Sequence, residues 1–171
     1  MSGTTPDSMQ DRFVTVVECH RGIIYKVVHA YCHDHDDRED LAQEIIFQLW
    51  RSFEKYDSQY KLSTWMYRIA LNVAISHHRK RTVRDRHHLP LDVGLLQVSE
   101  EPPPDLGEEV KLLRQYIREL NRVNKSLMLL YLDGNSYQEI AEVLDISITN
   151  VGTRLNRLKK QLKEQLTKAL K

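Results

Sequence analysis

The chain has 171 residues, enough for one ordinary domain or two small ones, each with a modest core. Five Pro and six Gly fall well below the usual share of roughly 12%, which excludes a turn-rich β chain and a Gly-rich disordered one. Lys plus Arg (25) nearly balance Asp plus Glu (24), no apolar run approaches the length of a membrane span, and Met1 to Gln10 shows no secretory signal pattern. The expectation is an all-α, cytoplasmic protein without membrane insertion, and two cysteines fit a reducing compartment.

Taken in chain order, Phe13, Val16, Val17, Ile23, Ile24, Val27, Val28 and Tyr31 form an apolar stripe at helical spacing. Asp34 to Asp37 interrupt it and offer N-cap chemistry for a helix over about 38–55. That helix places Leu41, Ile45, Leu49 and Phe53 on one face, and Asp40, Gln43, Glu44, Phe47, Gln48 and Arg51 on another. After a polar loop, Ser63 is expected to cap a helix reaching Arg81. Trp65, Ile69 and Val73 would supply its core face, with Thr64, Arg68, Asn72, Ser76 and Lys80 on its polar side.

Charge then turns local. Ser76 to His88 carries Arg79, Lys80, Arg81, Arg84 and Arg86 with four His and one acid, whereas Leu89 to Glu109 holds six acids and no Lys or Arg. Val110 to Lys171 is basic again, with 12 basic against 6 acidic side chains. Two basic zones around an acidic spacer point to a polyanionic partner. The spacer contains Pro90 and Pro102 to Pro104, so 82–107 reads as a linker between domains at 11–81 and 108–171.

Beyond the linker, helices are expected over about 108–120 and 125–132, the second ended by Asp133-Gly134-Asn135. Ser136 and Glu139 form a capping box for a short helix, Tyr137 to Leu144. Asp145-Ile146-Ser147 breaks the chain before a long basic helix with a seam of Val151, Leu155, Leu158, Leu162 and Leu166. A short capped helix, a tight turn and a basic helix make a helix-turn-helix pattern. Thr149, Asn150, Thr153, Arg154 and Asn156 supply hydrogen-bonding groups for base edges, and Arg157 and Lys160 suit phosphates.

Three segments together resemble a known family. Asp37–Trp50 (DREDLAQEIIFQLW) resembles region 2.2 of bacterial sigma factors, Ser63–Asn72 (STWMYRIALN) resembles regions 2.3 and 2.4, and Ser136–Leu155 (SYQEIAEVLDISITNVGTRL) is similar to region 4.2. Their order, and the absence of a large middle domain, match the extracytoplasmic-function subgroup of the sigma-70 family. The resemblance implies two helical domains, a region 2 bundle and a region 4 helix-turn-helix, with no catalytic residues and no cofactor. It implies core RNA polymerase and promoter DNA as partners, and admits an anti-sigma factor.

Carried over by position, Asp40, Gln43, Glu44, Phe47 and Trp50 would dock on the polymerase, although Trp50 could equally be core. Tyr67, Arg68 and Asn72 would act at the minus-ten element, with Arg79, Lys80 and Arg81 on phosphates; Trp65 is assigned to packing. Thr149, Asn150, Thr153, Arg154, Asn156, Arg157 and Lys160 would act at the minus-thirty-five element. Leu71, Ser76 and Gly152 depart from the family pattern, Gly152 replacing a cation. A regulator using the helix-turn-helix without polymerase is the alternative reading within DNA binding; a metal-sensing or purely protein-interaction module is the alternative outside it. Cys19-His20 and Cys32-His33 are adjacent pairs whose side chains diverge by about 100° on a helix, so no metal site is expected.

Overall fold

The computed structural model describes residues 8–77 and 107–171, and every regular element among them is an α-helix. In order these are α1 (Met9–Cys19), α2 (Arg21–Tyr31), α3 (His35–Phe53), α4 (Leu62–His77), α5 (Glu108–Glu119), α6 (Arg122–Leu132), α7 (Tyr137–Leu144) and α8 (Ile148–Ala169). They fall into two compact units, Met1–Val28 with Asp34–Ser99 and His29–His33 with Glu100–Lys171. The basic cluster Arg79, Lys80, Arg81 and almost all of the expected linker lie outside the described residues. Among the described residues no helix is long and apolar enough to cross a membrane.

In the first unit, α1 opens on a capping box: Ser8 Oγ accepts from the Asp11 amide at 3.1 Å, and the Asp11 carboxylate accepts from the Ser8 amide. The single expected stripe is two helices, broken at His20 (φ −117°) beside Gly22, a weak helix former. Asp34 caps α3 by accepting from the Asp37 amide, so that helix starts earlier than expected. Leu41, Ile45 and Leu49 are fully buried, together with Ala42 and Ile46, and α3 packs most extensively on α4.

The rotation of α4 differs from the expectation. Met66, Tyr67, Ala70, Leu71 and Ala74 are buried, whereas Trp65, Ile69 and Val73 are half-buried. The inward stripe is therefore displaced by one residue, about 100° around the helix. The reason is packing. Both stripes are apolar, and Ala70 and Ala74, one turn apart, let α4 approach its neighbour closely. The helix also starts at Leu62, so Ser63 lies inside its first turn rather than capping it.

The second unit follows its local signals closely. Asn121 caps α6 by accepting from the Asn124 amide at 3.0 Å, which starts the helix three residues before the expected Lys125. Gly134 adopts φ 82°, and Asn135 Nδ2 donates to the Leu130 carbonyl, satisfying the helix end. At α7, Ser136 Oγ accepts from the Glu139 amide and Glu139 Oε2 accepts from the Ser136 amide. Asp145 is left-handed (φ 55°, ψ 48°), and Ser147 caps α8 by accepting from the Asn150 amide. Val151, Leu155 and Leu158 turn α8 onto a core with Leu127, Leu130 and Ile140, and the buried Tyr116 hydroxyl of α5 donates to the Leu158 carbonyl at 3.0 Å.

Candidate nucleic-acid and protein interfaces

The seam of α8 fixes which of its side chains face outward. Opposite Val151, Leu155 and Leu158 lie Thr149, Thr153, Asn156, Arg157 and Lys160, all exposed. The Thr153 hydroxyl donates to the Thr149 carbonyl at 3.0 Å. That face carries two cations and three short polar side chains, a composition suited to phosphates and base edges.

The flanks of α8 are occupied by protein. Asn150 and Arg154 are half-buried on the side facing α6; Arg154 Nε donates to Asn150 Oδ1 at 3.0 Å, and its Nη1 donates to Asn124 Oδ1 at 3.4 Å. Toward the far end of the same α6, Lys159 Nζ lies 5.0 Å from the Tyr131 ring centroid. A Cβ at Gly152 would meet Tyr137 Cε2 at 3.6 Å, ordinary contact. Gly152 thus lies against a protein ring, and Tyr137 limits which rotamers a longer side chain could use there.

On α3, Asp40 and Gln43 are exposed, and Glu44 is half-buried and accepts from Gln48 Nε2 at 3.0 Å. Phe47 is half-buried under Arg51, whose Cζ is 5.7 Å from the ring centroid. Trp50 meets Phe13 edge to face, with centroids 5.1 Å apart, and keeps part of its surface exposed. It therefore joins α3 to α1 at the edge of the stripe. The expected five side chains form one continuous face, graded from acidic and exposed at Asp40 to aromatic and packed at Trp50.

On α4 the expected set divides. Arg68 and Asn72 are exposed one turn apart, with Ser76 beyond them. Tyr67 is 0% exposed, buried in the bundle, and so is a core residue rather than a surface contact. Thr64, expected on the polar side, is also buried. Trp65 is half-buried and meets tilted rings at the end of α3 and in the loop that follows, with its centroid 6.3 Å from Phe53 and 5.1 Å from Tyr56. In that loop the Tyr56 hydroxyl donates to the Tyr60 carbonyl, and Asp57 Oδ1 accepts from the Gln59 amide, so a ring string and an Asx turn shape the segment. Sequence spacing gave no sign of this string, because Phe13, Phe53 and Trp65 come from three helices.

Cys19 is exposed and Cys32 buried, and neither is in a disulfide. Among the described residues, His35, Asp36 and Glu39 bring possible ligand atoms within 4.8 Å of one another, all at the surface. His35 Nε2 lies 3.6 Å from Glu39 Oε1, an ordinary i, i+4 surface pair.

A helical bundle and a helix-turn-helix whose last helix exposes a basic, polar face are the architecture of a DNA-binding transcription factor of two units. Residues 16–84 match the family model for sigma-70 region 2, and residues 111–162 match that for sigma-70, region 4. The ECF RNA polymerase sigma factor SigW of Bacillus subtilis is 30% identical over 170 residues, covering 92% of this chain and 90% of the relative. The RNA polymerase sigma factor YlaC of the same organism is 29% identical over 141 residues, covering 80% and 82%. In fold, the chain is similar to the sigma factor RpoE solved with the anti-sigma factor NepR from Bartonella quintana, with TM-score 0.67 at 18% identity over 94% of this chain and 98% of that one. It is also similar to CnrH solved with the cytosolic domain of CnrY, with TM-score 0.66 at 19% identity over 94% and 91%. The chain belongs to the extracytoplasmic-function family of RNA polymerase sigma factors. It is a transcription-initiation factor and not an enzyme.

Proposed function

We propose that this chain binds core RNA polymerase in the cytoplasm and directs it to a defined set of promoters. The observation that carries this reading is the presence of both sigma regions, in order, on one chain that spans 90% of a sigma-factor relative. The domains would run over 11–81 and 108–171, with 82–107 joining them. A regulator that uses only the helix-turn-helix would have no need of the region 2 unit with its graded α3 face.

In this account the α3 face of Asp40, Gln43, Glu44, Phe47 and Trp50 docks on a basic surface of the polymerase, its carboxylates steering the encounter and its rings filling the contact. Arg68 and Asn72 engage the minus-ten strand as it unpairs. Holding an unstacked strand needs cations for its phosphates and hydrogen-bonding groups for its bases, and exposed side chains one turn apart on α4 supply both. Arg79, Lys80 and Arg81 add phosphate contacts. Thr149, Thr153 and Asn156 read the minus-thirty-five element, with Asn150 and Arg154 at its edge and Arg157 and Lys160 on phosphates. RpoE was solved with the anti-sigma factor NepR and CnrH with the cytosolic domain of CnrY, and an anti-sigma partner is proposed here too.

Run-off transcription with purified core polymerase on a library of promoter fragments tests the reading. Initiation at discrete start sites that requires this chain is the expected result. Specific duplex binding by the chain without any effect on core polymerase would instead identify a helix-turn-helix regulator.

A further inference from the structure

We infer that Asn124, in the first turn of α6 and outside the helix-turn-helix, is a specificity-determining positioning residue that presets Arg154 for reading DNA; the inference rests on the proposed promoter-binding role. Arg154 is gripped from two helices. Asn150, one turn earlier on α8, accepts from Nε at 3.0 Å, and Asn124 accepts from Nη1 at 3.4 Å across 30 positions of sequence. A guanidinium has five N–H donors in one plane. The two amides engage one on Nε and one on Nη1, and the remaining donors on the Nη1–Nη2 edge can still address a guanine O6/N7 pair.

The Asn124 side chain is not needed to cap its own helix. That task falls to Asn121, whose Oδ1 accepts from the Asn124 backbone amide, a bond that any residue but proline retains at 124. What the Asn124 carboxamide does is hold the guanidinium from the first turn of α6. A long side chain loses rotamer freedom when it locks onto a base edge, and one already fixed in the free protein loses less. The clamp also chooses an orientation. Without Asn124, Arg154 keeps its bond to Asn150 but can swing about it toward the nearest phosphate, which carries no sequence information.

The test is selection of duplexes from a randomised upstream-element library by the full chain assembled with core polymerase, followed by sequencing. Arg154→Ala defines the base position that Arg154 reads. Asn124→Ala should reduce preference at that same position by about 3- to 10-fold, a substantial part of what one base contact contributes, and leave the other positions unchanged. The double variant should be no worse there than Arg154→Ala alone. Asn124→Asp, which keeps an acceptor oxygen, should retain the preference, whereas the similarly sized Asn124→Leu should not; circular dichroism confirms helix content in each. An unchanged profile in Asn124→Ala, a uniform loss at every position, or a loss that adds to that of Arg154→Ala would overturn the inference. Should the parent chain select no sequence with core polymerase, the promoter-binding reading itself fails, an outcome separate from these.

Discussion

Helices α4 and α8 are both assigned to DNA, yet only α8 shows its orientation in the sequence. In α8, Val151, Leu155 and Leu158 oppose a face of Thr, Asn, Arg and Lys, and burial follows that contrast. In α4, apolar residues occupy most of the circumference, so hydrophobicity leaves the rotation undecided, and the stripe with Met66, Tyr67, Ala70, Leu71 and Ala74 is the one buried. The difference teaches that a helix declares its outer face where apolar and polar residues segregate around it, and does not where apolar residues run round most of its circumference.

The sharpest way to break this comparison is to truncate the residues on which it turns. Tyr67→Ala should destabilise the first unit by about 3–5 kcal/mol, as expected for a large fully buried ring, while Arg68→Ala changes stability little. Leu71→Ala, also buried, should cost about 2–5 kcal/mol. Urea denaturation measures both effects. A Tyr67→Ala variant as stable as its parent would show that α4 is rotated toward the stripe of Trp65, Ile69 and Val73.

Effects on polymerase binding should follow the gradient along α3. Asp40→Ala and Glu44→Ala should weaken binding to core polymerase at low salt, and less so at high salt where screening already reduces their attraction. Fluorescence anisotropy of labelled chain with core enzyme measures this. Unchanged affinity in both variants would remove α3 as the docking face.

Smaller changes sharpen the comparison from the α8 side. Ser136→Ala removes one half of the α7 capping box and should cost about 1 kcal/mol. Gly152→Ala should stabilise by up to about 1 kcal/mol through helix propensity, because its Cβ would sit in ordinary contact with Tyr137. Destabilisation of the second unit on thermal melting would mean that Tyr137 cannot accommodate even one methyl. Arg157→Ala and Lys160→Ala should weaken all DNA sequences alike, and each lost phosphate contact should reduce the salt slope by about 0.9.

Much of the fold was legible because it is written in short-range chemistry. Asp34, the Ser136–Glu139 box, the Asp133-Gly134 stop, left-handed Asp145 and the Ser147 cap each act within about one turn. Asn121 obeys the same rule, and its helix began earlier than expected. Longer-range features left no local trace. The Arg154–Asn124 bond joins α8 to α6, and the ring string joins Phe13, Phe53 and Trp65, so neither has a sequence period. Of the candidate sites, the outward face of α8 and the acidic end of α3 followed from amphipathic spacing; Tyr67 did not, because a tyrosine among apolar neighbours can be turned either way.

The central claim is that one chain divides promoter work between α4, which holds melted DNA, and α8, which holds duplex. Permanganate reactivity of unpaired thymines, followed over time on a selected promoter with reconstituted polymerase, tests it most directly. Arg68→Ala with Asn72→Ala should suppress the reactivity on duplex promoter and recover most of it on a template with a pre-melted minus-ten segment. Thr153→Ala with Arg157→Ala should weaken promoter occupancy on both templates alike. If the α4 pair lost as much on the pre-melted template as on the duplex, those residues would be positioning duplex rather than holding the melted strand, and the division between the two helices would be wrong.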